Sequence, residues 1–224
     1  MKLENLYPDD YFDGRLSNDP LRLASFHDEG KMLKRHISHG RLLDIGCSTG
    51  EFISSLDWQG ECYGMEVSQL AITAAKSEGV RFDRNIFDTE NFFDCIIFRG
   101  TIQHIDTPFL YLQKCYLALQ PNGYLAFFAT PNANSLYYKL WNSLPALDDP
   151  RNFYIPSDIT LKNALKNIGF EIIECRYPYW NGPYASPAMD HIKFAGRLTG
   201  LYRGKFPFWR NMMDLIFRKP DMAQ

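Results

Sequence analysis

The sequence lacks the features that mark membrane-spanning, metal-binding and disulfide-bonded proteins. No apolar run approaches the roughly 20 residues that a membrane-spanning helix needs, and the first ten residues have no apolar core of the kind that a signal peptide contains. The five cysteines are odd in number and form no C-x-x-C pair, which argues against a disulfide framework or a zinc site. We therefore expect a soluble cytoplasmic protein with free thiols and no metal site.

An excess of either charge is also missing. The chain has 24 Lys and Arg residues against 26 Asp and Glu, so it has no general attraction to nucleic acid or to an anionic membrane, and any such binding would have to be local. Its 224 residues, 46% of them hydrophobic, are enough for one domain with a full core. We expect a single domain over residues 1–224.

The stretch Arg41 to Phe52 has the pattern of a strand, a tight glycine turn and the start of a helix. An apolar run is stopped by Gly46, and Gly50 follows four residues later. Glycine lets the backbone approach a ligand closely. We therefore expect a bound molecule to lie over this turn.

The composition of the turn narrows the choice of ligand. A dinucleotide fingerprint has glycine at its first, third and sixth positions, but Ser48 and Glu51 occupy the last two of these here. Asp44, two residues before Gly46, would repel a phosphate and could hold a cationic amino group. Glu66 ends the next strand, twenty residues after Gly46, where an acidic residue typically accepts hydrogen bonds from ribose hydroxyls.

Two motifs resemble those of the class I S-adenosylmethionine-dependent methyltransferases. The sequence Asp-Ile-Gly-Cys-Ser-Thr-Gly over residues 44–50 is similar to their first motif, with Ser48 where many members have another glycine. The buried-strand pattern Phe93–Phe98, followed by His104 and Pro108, resembles the fourth motif of methyltransferases that act on quinones and sugars. The resemblance spans roughly residues 20–218. It implies S-adenosylmethionine as cofactor and S-adenosylhomocysteine as product.

The resemblance places the cofactor at the ends of several strands. Asn85 and Asp88 compete for the contact with the adenine amino group, and Tyr11 belongs to an arm, residues 1–20, that we expect to close over the cofactor. The implied cofactor-binding residues are Tyr11, Asp44, Gly46, Cys47, Gly50, Glu66, Val67, Asn85, Asp88, Arg99 and Gly100.

Catalytic and acceptor-binding residues are predicted in three places. His104 is expected to face the reacting groups as general base or substrate orienter, and a purely structural role in its loop stays open. Residues 131–156 and 177–207 exceed what the fold requires and are predicted to wall the acceptor site. The second stretch supplies a competing candidate base and three predicted acceptor contacts, and its aromatic residues would also fit a homodimer interface. These residues are His191, Tyr179, Trp180 and Tyr184.

The fold that the resemblance implies is an α/β Rossmann-like, seven-stranded, mostly parallel sheet in the order 3-2-1-4-5-7-6, with an antiparallel last strand and helices on both faces. The predicted function is methyl transfer to a small molecule, with a sugar or a nucleotide-sugar or polysaccharide precursor as the suggested acceptor. One alternative, a nucleotide-dependent oxidoreductase, should have the missing third-position glycine. A second alternative is a degenerate methyltransferase fold that serves as a binding subunit, and the intact motif residues argue against it.

Overall fold

The computed structural model describes residues 19–145, 152–180 and 182–221, in which strands and helices alternate. The strands are β1 (Leu42–Ile45), β2 (Cys62–Met65), β3 (Phe93–Arg99), β4 (Leu119–Pro131), β5 (Glu171–Arg176) and β6 (Met212–Arg218). The helices are α1 (Pro20–Lys34), α2 (Glu51–Ser55), α3 (Gln69–Ser77), α4 (Pro108–Ala118), α5 (Leu136–Trp141), α6 (Asp158–Ile168) and α7 (Pro187–Leu198), with a 3-10 turn at Ile102–His104.

The strands form a sheet in the order β2-β1-β3-β4-β6-β5. The first four strands are parallel, and β6 runs antiparallel to both β4 and β5. All four residues of β1 are buried, as expected of a parallel strand that is covered on both faces. The carboxyl ends of β1 to β4 therefore lie at the same side of the sheet.

The described residues form six strands, so the predicted seventh strand is not confirmed. Val80 and Phe82 predict the additional strand at residues 80–82, but there Arg81 makes an isolated parallel bridge with Tyr63 and the pairing goes no further. Gly79, just before this segment, has a φ of 84°. Asp83, just after it, accepts a hydrogen bond from the Arg81 Nη2 at 3.0 Å. The three residues between these two bends, Val-Arg-Phe, are too few for a ladder.

Apolar layers cover both faces of the sheet. Along β3 the side chains alternate between them: Ile96 and Phe98 pack with residues of α4 and α6, and Cys95 and Ile97 pack with residues of α1 and α2. This alternation follows from the period of two in a strand. The mixed α/β architecture with helices on both faces agrees with the sequence-based prediction.

The two predicted insertions pack against each other. The Trp141 ring of α5 lies 5.1 Å from the Phe194 ring of α7, and Phe208 stacks on Phe194 at 4.3 Å. Phe206 completes the cluster by packing 5.1 Å from Tyr137. We call α5, α7 and residues 202–208 the aromatic cap. None of the helices in the described part of the chain is both long and apolar enough to cross a bilayer.

Candidate active site

The glycine turn after β1 is packed so tightly that it requires glycine. Gly46 has a φ of 78° and Gly50 a φ of 80°, both in the left-handed region that side chains other than glycine rarely adopt. A Cβ atom on Gly46 would lie 2.5 Å from the Oγ1 of Thr101, which follows β3. Because Gly46 has no Cβ, the backbone of this turn packs directly against the side chain of Thr101.

The Glu66 carboxylate is fixed by three backbone N–H groups. Its Oε2 accepts from Ser48 N at 3.0 Å, and its Oε1 accepts from Val67 N at 2.7 Å and from Ser68 N at 3.1 Å. These bonds tie the end of β2 to the glycine turn. A carboxylate has about four acceptor sites, so Glu66 keeps acceptor capacity for a ligand hydroxyl while its orientation is set.

Asp44 is a buried carboxyl group with an unsatisfied oxygen. Its side chain is almost fully buried, and its Oδ1 has no hydrogen-bond partner among the described residues. Burial raises the pKa of Asp44 to about 7; nearby Arg99 counteracts this increase, whereas Glu66 and Glu29 add to it. A cationic donor placed against Oδ1 would satisfy that oxygen and favour the carboxylate.

Arg99 connects the carboxyl end of β3 to α1. Its Nε donates to Glu29 Oε2 at 2.6 Å and its Nη2 to Glu29 Oε1 at 3.2 Å, while its guanidinium carbon lies 4.2 Å above the centroid of the Phe26 ring. The bidentate pair has excellent geometry for both partners. Arg99 thereby holds α1 against the turn as one wall of the site.

Two cavities adjoin at this turn and share Gly46, Ser48 and Arg99 in their linings. The larger has a volume of about 580 Å³, and the smaller, about 210 Å³, lies toward α1. The predicted residues of the larger cavity are Gly46, Glu66, Val67, Asn85, Arg99, Gly100 and His104. The smaller cavity adds Asp44 and Cys47. Gly50 lines neither cavity and shapes the turn behind them.

Asn85 and Asp88, the two candidates for the adenine contact, lie differently with respect to the larger cavity. Asn85 lines the larger cavity. Asp88 accepts hydrogen bonds from Asn85 N at 3.0 Å and from Asn85 Nδ2 at 2.8 Å, and Asn85 Oδ1 accepts from Phe87 N at 2.8 Å. Asp88 thus holds Asn85 in place from outside the cavity wall.

His104 lies at the end of the 3-10 turn and lines the larger cavity. The Nε2 of the neighbouring Gln103 donates to Gly100 O at 2.9 Å and lies 3.3 Å from His104 Nε2. Phe153 N donates to Gln103 O at 2.9 Å, which brings the 131–156 stretch to the residue beside His104. Gln103 therefore connects the imidazole, the Gly100 backbone and one predicted acceptor wall.

The other predicted catalytic and acceptor residues lie away from the two cavities. His191 is on α7, where its Nδ1 contacts Pro187 O at 2.6 Å and its ring stacks on Trp180 at 5.6 Å. Tyr179 is buried, and its hydroxyl donates to Asp190 at 3.3 Å, so it is a packing residue of the insertion. Trp180 is exposed and lines neither of the two cavities.

Tyr184 lines neither cavity, but charged groups of α1 act on its hydroxyl. It is half exposed, and burial together with the negative charge of Asp19 raises its pKa, while Arg99 and Arg22 lower it. The Tyr184 hydroxyl is therefore within electrostatic range of the α1 wall. Tyr11 lies outside the described residues.

The sequence reading missed several residues that line the cavities. Thr101 packs on Gly46, and Phe87 and Tyr111 form an apolar wall with their rings 5.1 Å apart, edge to face. Arg22 and Glu51, which pair at 2.7 Å, belong to the smaller cavity. These residues lie far apart in the chain and follow no spacing rule, so the sequence carried no signal for them.

Comparisons with known proteins agree with this geometry. A family model described as "Methyltransferase domain" matches residues 16–175. The ubiquinone biosynthesis O-methyltransferase of Histophilus somni is 28% identical over 139 residues, which cover 55% of this chain and 55% of that protein. The match thus spans about half the length of this curated relative.

Two solved structures share the fold at low sequence identity. A Thermotoga maritima protein, described as an S-adenosylmethionine-dependent methyltransferase and possible histamine N-methyltransferase, has a TM-score of 0.64 and 19% identity, with 90% of each chain covered. A phosphoethanolamine N-methyltransferase of Haemonchus contortus, in complex with phosphomonomethylethanolamine and S-adenosylhomocysteine, has a TM-score of 0.65 and 17% identity, with 99% of this chain and 61% of that chain covered.

Proposed function

Because the chain belongs to the methyltransferase-domain family, the class I S-adenosylmethionine-dependent methyltransferases, we propose that it transfers a methyl group from S-adenosylmethionine to a small-molecule acceptor. The family and its cofactor, S-adenosylmethionine, are as the sequence predicted. The observation that carries the proposal is the meeting of the two cavities at the Gly46 turn, with the Glu66 carboxylate in one and Asp44 in the other.

The residues of both cavities fit S-adenosylmethionine. The unsatisfied Oδ1 of Asp44 suits the cationic amino group of the methionine moiety, the oriented carboxylate of Glu66 suits the ribose hydroxyls, and Asn85 with the wall of Phe87 and Tyr111 suits an adenine ring. When bound, the cofactor supplies an electrophilic methyl group on its sulfonium.

The contribution of the chain to the reaction is chiefly alignment. Holding an acceptor nucleophile in line with the methyl group removes most of the entropic cost of a bimolecular step. His104, in the same cavity as Glu66, is placed to orient an acceptor hydroxyl or to accept its proton, and Gln103 fixes the position of the imidazole. His191 lines neither cavity, so His104 is the stronger candidate of the two.

The acceptor is proposed to be a small molecule with a nucleophilic oxygen. The curated relative is an O-methyltransferase, and the larger cavity combines apolar walls with polar side chains that include His104, a combination that suits a small molecule. Nothing among the relatives favours the sugar or nucleotide-sugar acceptor that the sequence suggested. The loop containing Phe153 and the side chain of Tyr184 are proposed as walls of the acceptor site.

A methyl-transfer screen tests the proposal. Purified protein is incubated with S-adenosylmethionine labelled with tritium in its methyl group and with phenols, hydroquinones, nucleotide sugars and amines in separate reactions. We expect label in one class of acceptor, with S-adenosylhomocysteine formed in equal amount. A protein that binds the cofactor and transfers label to none of these classes would favour the degenerate binding subunit instead.

A further inference from the structure

Asp214 of β6 is a fully buried carboxylate that lines neither cavity. Its Oδ1 accepts from Ala129 N at 2.9 Å, and its Oδ2 accepts from Arg176 Nε at 2.8 Å. The Nη1 of Arg176 also pairs with Asp28 of α1 at 2.9 Å. A buried carboxylate is costly unless it is paired and hydrogen-bonded, and one of the two partners of Asp214 is the backbone of β4.

The stretch of β4 that Asp214 contacts is a β-bulge. The register between β4 and β6 shifts between Phe127 and Thr130, so residues 128–129 of β4 lie opposite Asp214 alone. Ala129 has a φ of 47°, in the left-handed region that residues with a Cβ rarely adopt. Bulges and strained backbone are often found beside functional sites. Asp214 thus supplies the acceptor for the N–H of the strained residue.

One peptide group joins Asp214 to the larger cavity. The N–H of Ala129 and the C=O of Phe128 belong to the same planar unit. This carbonyl accepts from Gly100 N at 2.9 Å, and Gly100 lines the larger cavity. Because the N–H and C=O of a trans peptide point in opposite directions, Asp214 and Gly100 hold the two ends of one rigid group. The orientation of that group therefore fixes the position of the Gly100 backbone.

Gly100 is linked in turn to His104. Gly100 O accepts from Gln103 Nε2 at 2.9 Å, and the same nitrogen lies 3.3 Å from His104 Nε2. The only regular structure in this segment is the 3-10 turn Ile102–His104, whose hydrogen-bond geometry is poorer than that of an α-helix. Contacts with neighbouring strands therefore contribute much of the order of residues 100–104.

We propose that Asp214 is a positioning residue for the proposed methyl transfer: its carboxylate holds the bulge of β4, and the bulge holds Gly100 and His104 at the larger cavity. The catalytic consequence rests on the proposed function, whereas the chain of hydrogen bonds can be tested without an acceptor. The simpler alternative is that Asp214 only neutralises Arg176 and stabilises the packing of α1. The two roles differ in whether the backbone at Ala129 depends on Asp214.

Asp214→Asn removes the charge and keeps the shape of the side chain. The amide has one oxygen, and we expect the charged Arg176 to take it, which leaves the amide NH2 against Ala129 N. The variant is studied without cofactor at pH 8, above the pKa of about 7 to which burial and Glu29 raise Asp214. Hydrogen exchange of the Gly100 amide should become at least about tenfold faster than in the unaltered protein.

The matched control is Asp94→Asn. Asp94 also accepts from a backbone N–H, Arg41 N at 2.7 Å, and also lies beside an arginine, with Arg41 Nε at 3.6 Å. It lies at the opposite end of β3 from Gly100 and lines neither cavity. This variant should leave the exchange rate of Gly100 unchanged.

Ala129→Gly distinguishes the two roles of Asp214. Glycine adopts a left-handed φ without strain, so the bulge no longer depends on the carboxylate. Adding Ala129→Gly to Asp214→Asn should return Gly100 exchange to within about threefold of the unaltered rate. The simpler alternative predicts no recovery, because glycine at this position gives Arg176 no partner. If Asp214→Asn alone fails to fold, the double variant should fold, and failure of both to fold would overturn the proposal.

The catalytic consequence is measured with the acceptor that the methyl-transfer screen identifies. Asp214→Asn should lower kcat at least about tenfold, through misplacement of His104, and should change the Kd for S-adenosylhomocysteine less than about threefold. Ala129→Gly should recover kcat in the double variant. Unchanged Gly100 exchange in Asp214→Asn, equal exchange in the single and double variants, or faster exchange with unchanged kcat would overturn the proposal. The predicted exchange rates without methyl transfer to any acceptor would support the hydrogen-bond chain and count against the proposed function alone.

Discussion

The buried position of Asp44 disfavours the charged form of its carboxyl group. Burial raises its pKa from 3.8 to about 7, so the folded protein binds a proton more tightly than the unfolded chain does. The contribution of Asp44 to stability is then fully present below pH 3.8 and is lost as the pH rises through about 7. Such a cost at a cavity wall is typical of a group that is retained for binding.

The first prediction concerns Asp44→Asn, which keeps the shape of the side chain and removes its charge. We expect the free energy of unfolding of the cofactor-free protein to increase by a few kcal/mol at pH 8 and by less at pH 5, while affinity for S-adenosylhomocysteine falls. Denaturant unfolding at both pH values and calorimetry check this. A variant that is destabilised at pH 8 would contradict the account.

The second prediction concerns Glu66→Gln. The amide cannot accept from all three backbone N–H groups that hold the carboxylate, and its hydrogen bonds to ribose hydroxyls lose their charge assistance. We expect a loss of about 2 kcal/mol, or roughly 30-fold in the Kd for S-adenosylhomocysteine. Glu78→Gln is the control, because Glu78 is exposed and bonds to Ser54 outside both cavities. Equal affinity in the two variants would remove Glu66 from the cofactor site.

The third prediction assigns His104 to the chemical step. Once an acceptor is identified, His104→Asn should lower kcat about 100-fold or more, which is the usual contribution of a general base. The variant should bind S-adenosylhomocysteine with a Kd within about twofold of that of the unaltered protein. Unchanged kcat would restrict His104 to a structural role in its loop.

Residues near one another in the chain could be predicted from the sequence, and residues joined by tertiary contacts could not. Asp44, Gly46 and Glu66 were identified because each has a fixed offset from the end of a strand. The contacts of Thr101 with Gly46 and of Phe153 with Gln103 join separate elements. No local pattern encodes contacts of this kind.

At the scale of elements, the glycine turn is the most constrained piece of the site. Gly46 and Gly79 share a left-handed φ, of 78° and 84°, but a Cβ on Gly46 would clash with Thr101, whereas a Cβ on Gly79 would meet nothing within 4 Å. A substitution at Gly79 therefore measures the cost of the left-handed backbone alone. A substitution at Gly46 measures that cost together with the clash against Thr101.

The fourth prediction uses this pair. Gly79→Ala should cost about 1 kcal/mol of unfolding free energy, from the left-handed conformation alone. Gly46→Ala should cost at least about 2 kcal/mol more and should weaken cofactor binding, because the turn or Thr101 must move. Adding Thr101→Ala to Gly46→Ala should recover part of the stability. Equal costs for the two glycine substitutions, measured by denaturant unfolding, would show that Thr101 exerts no steric pressure.

Elements with strong periodicity were predicted well, and short ones were not. The apolar run of β3 was predicted as a buried strand and is one, whereas the segment at residues 80–82 has the composition of a strand and pairs at one residue. Pairing of this segment with β2 depends on the direction that the chain takes after Asp83. The amino-acid composition of the segment does not specify that direction.

At the scale of the whole molecule, two stretches that are distant in the sequence pack together. The aromatic cap joins residues 136–144 to residues 194–208 through ring contacts. Sequence reading identified both insertions as aromatic, but it could not pair them, because ring contacts have no periodicity.

The most direct test of the central claim is calorimetric titration of the unaltered protein with S-adenosylhomocysteine and, separately, with NAD. The account predicts saturable binding of S-adenosylhomocysteine at least about 100-fold tighter than that of NAD, a difference of about 2.7 kcal/mol, because the turn lacks the third glycine of a dinucleotide site and Asp44 would repel a phosphate. Equal affinity for the two ligands, or no heat of binding with S-adenosylhomocysteine, would contradict it.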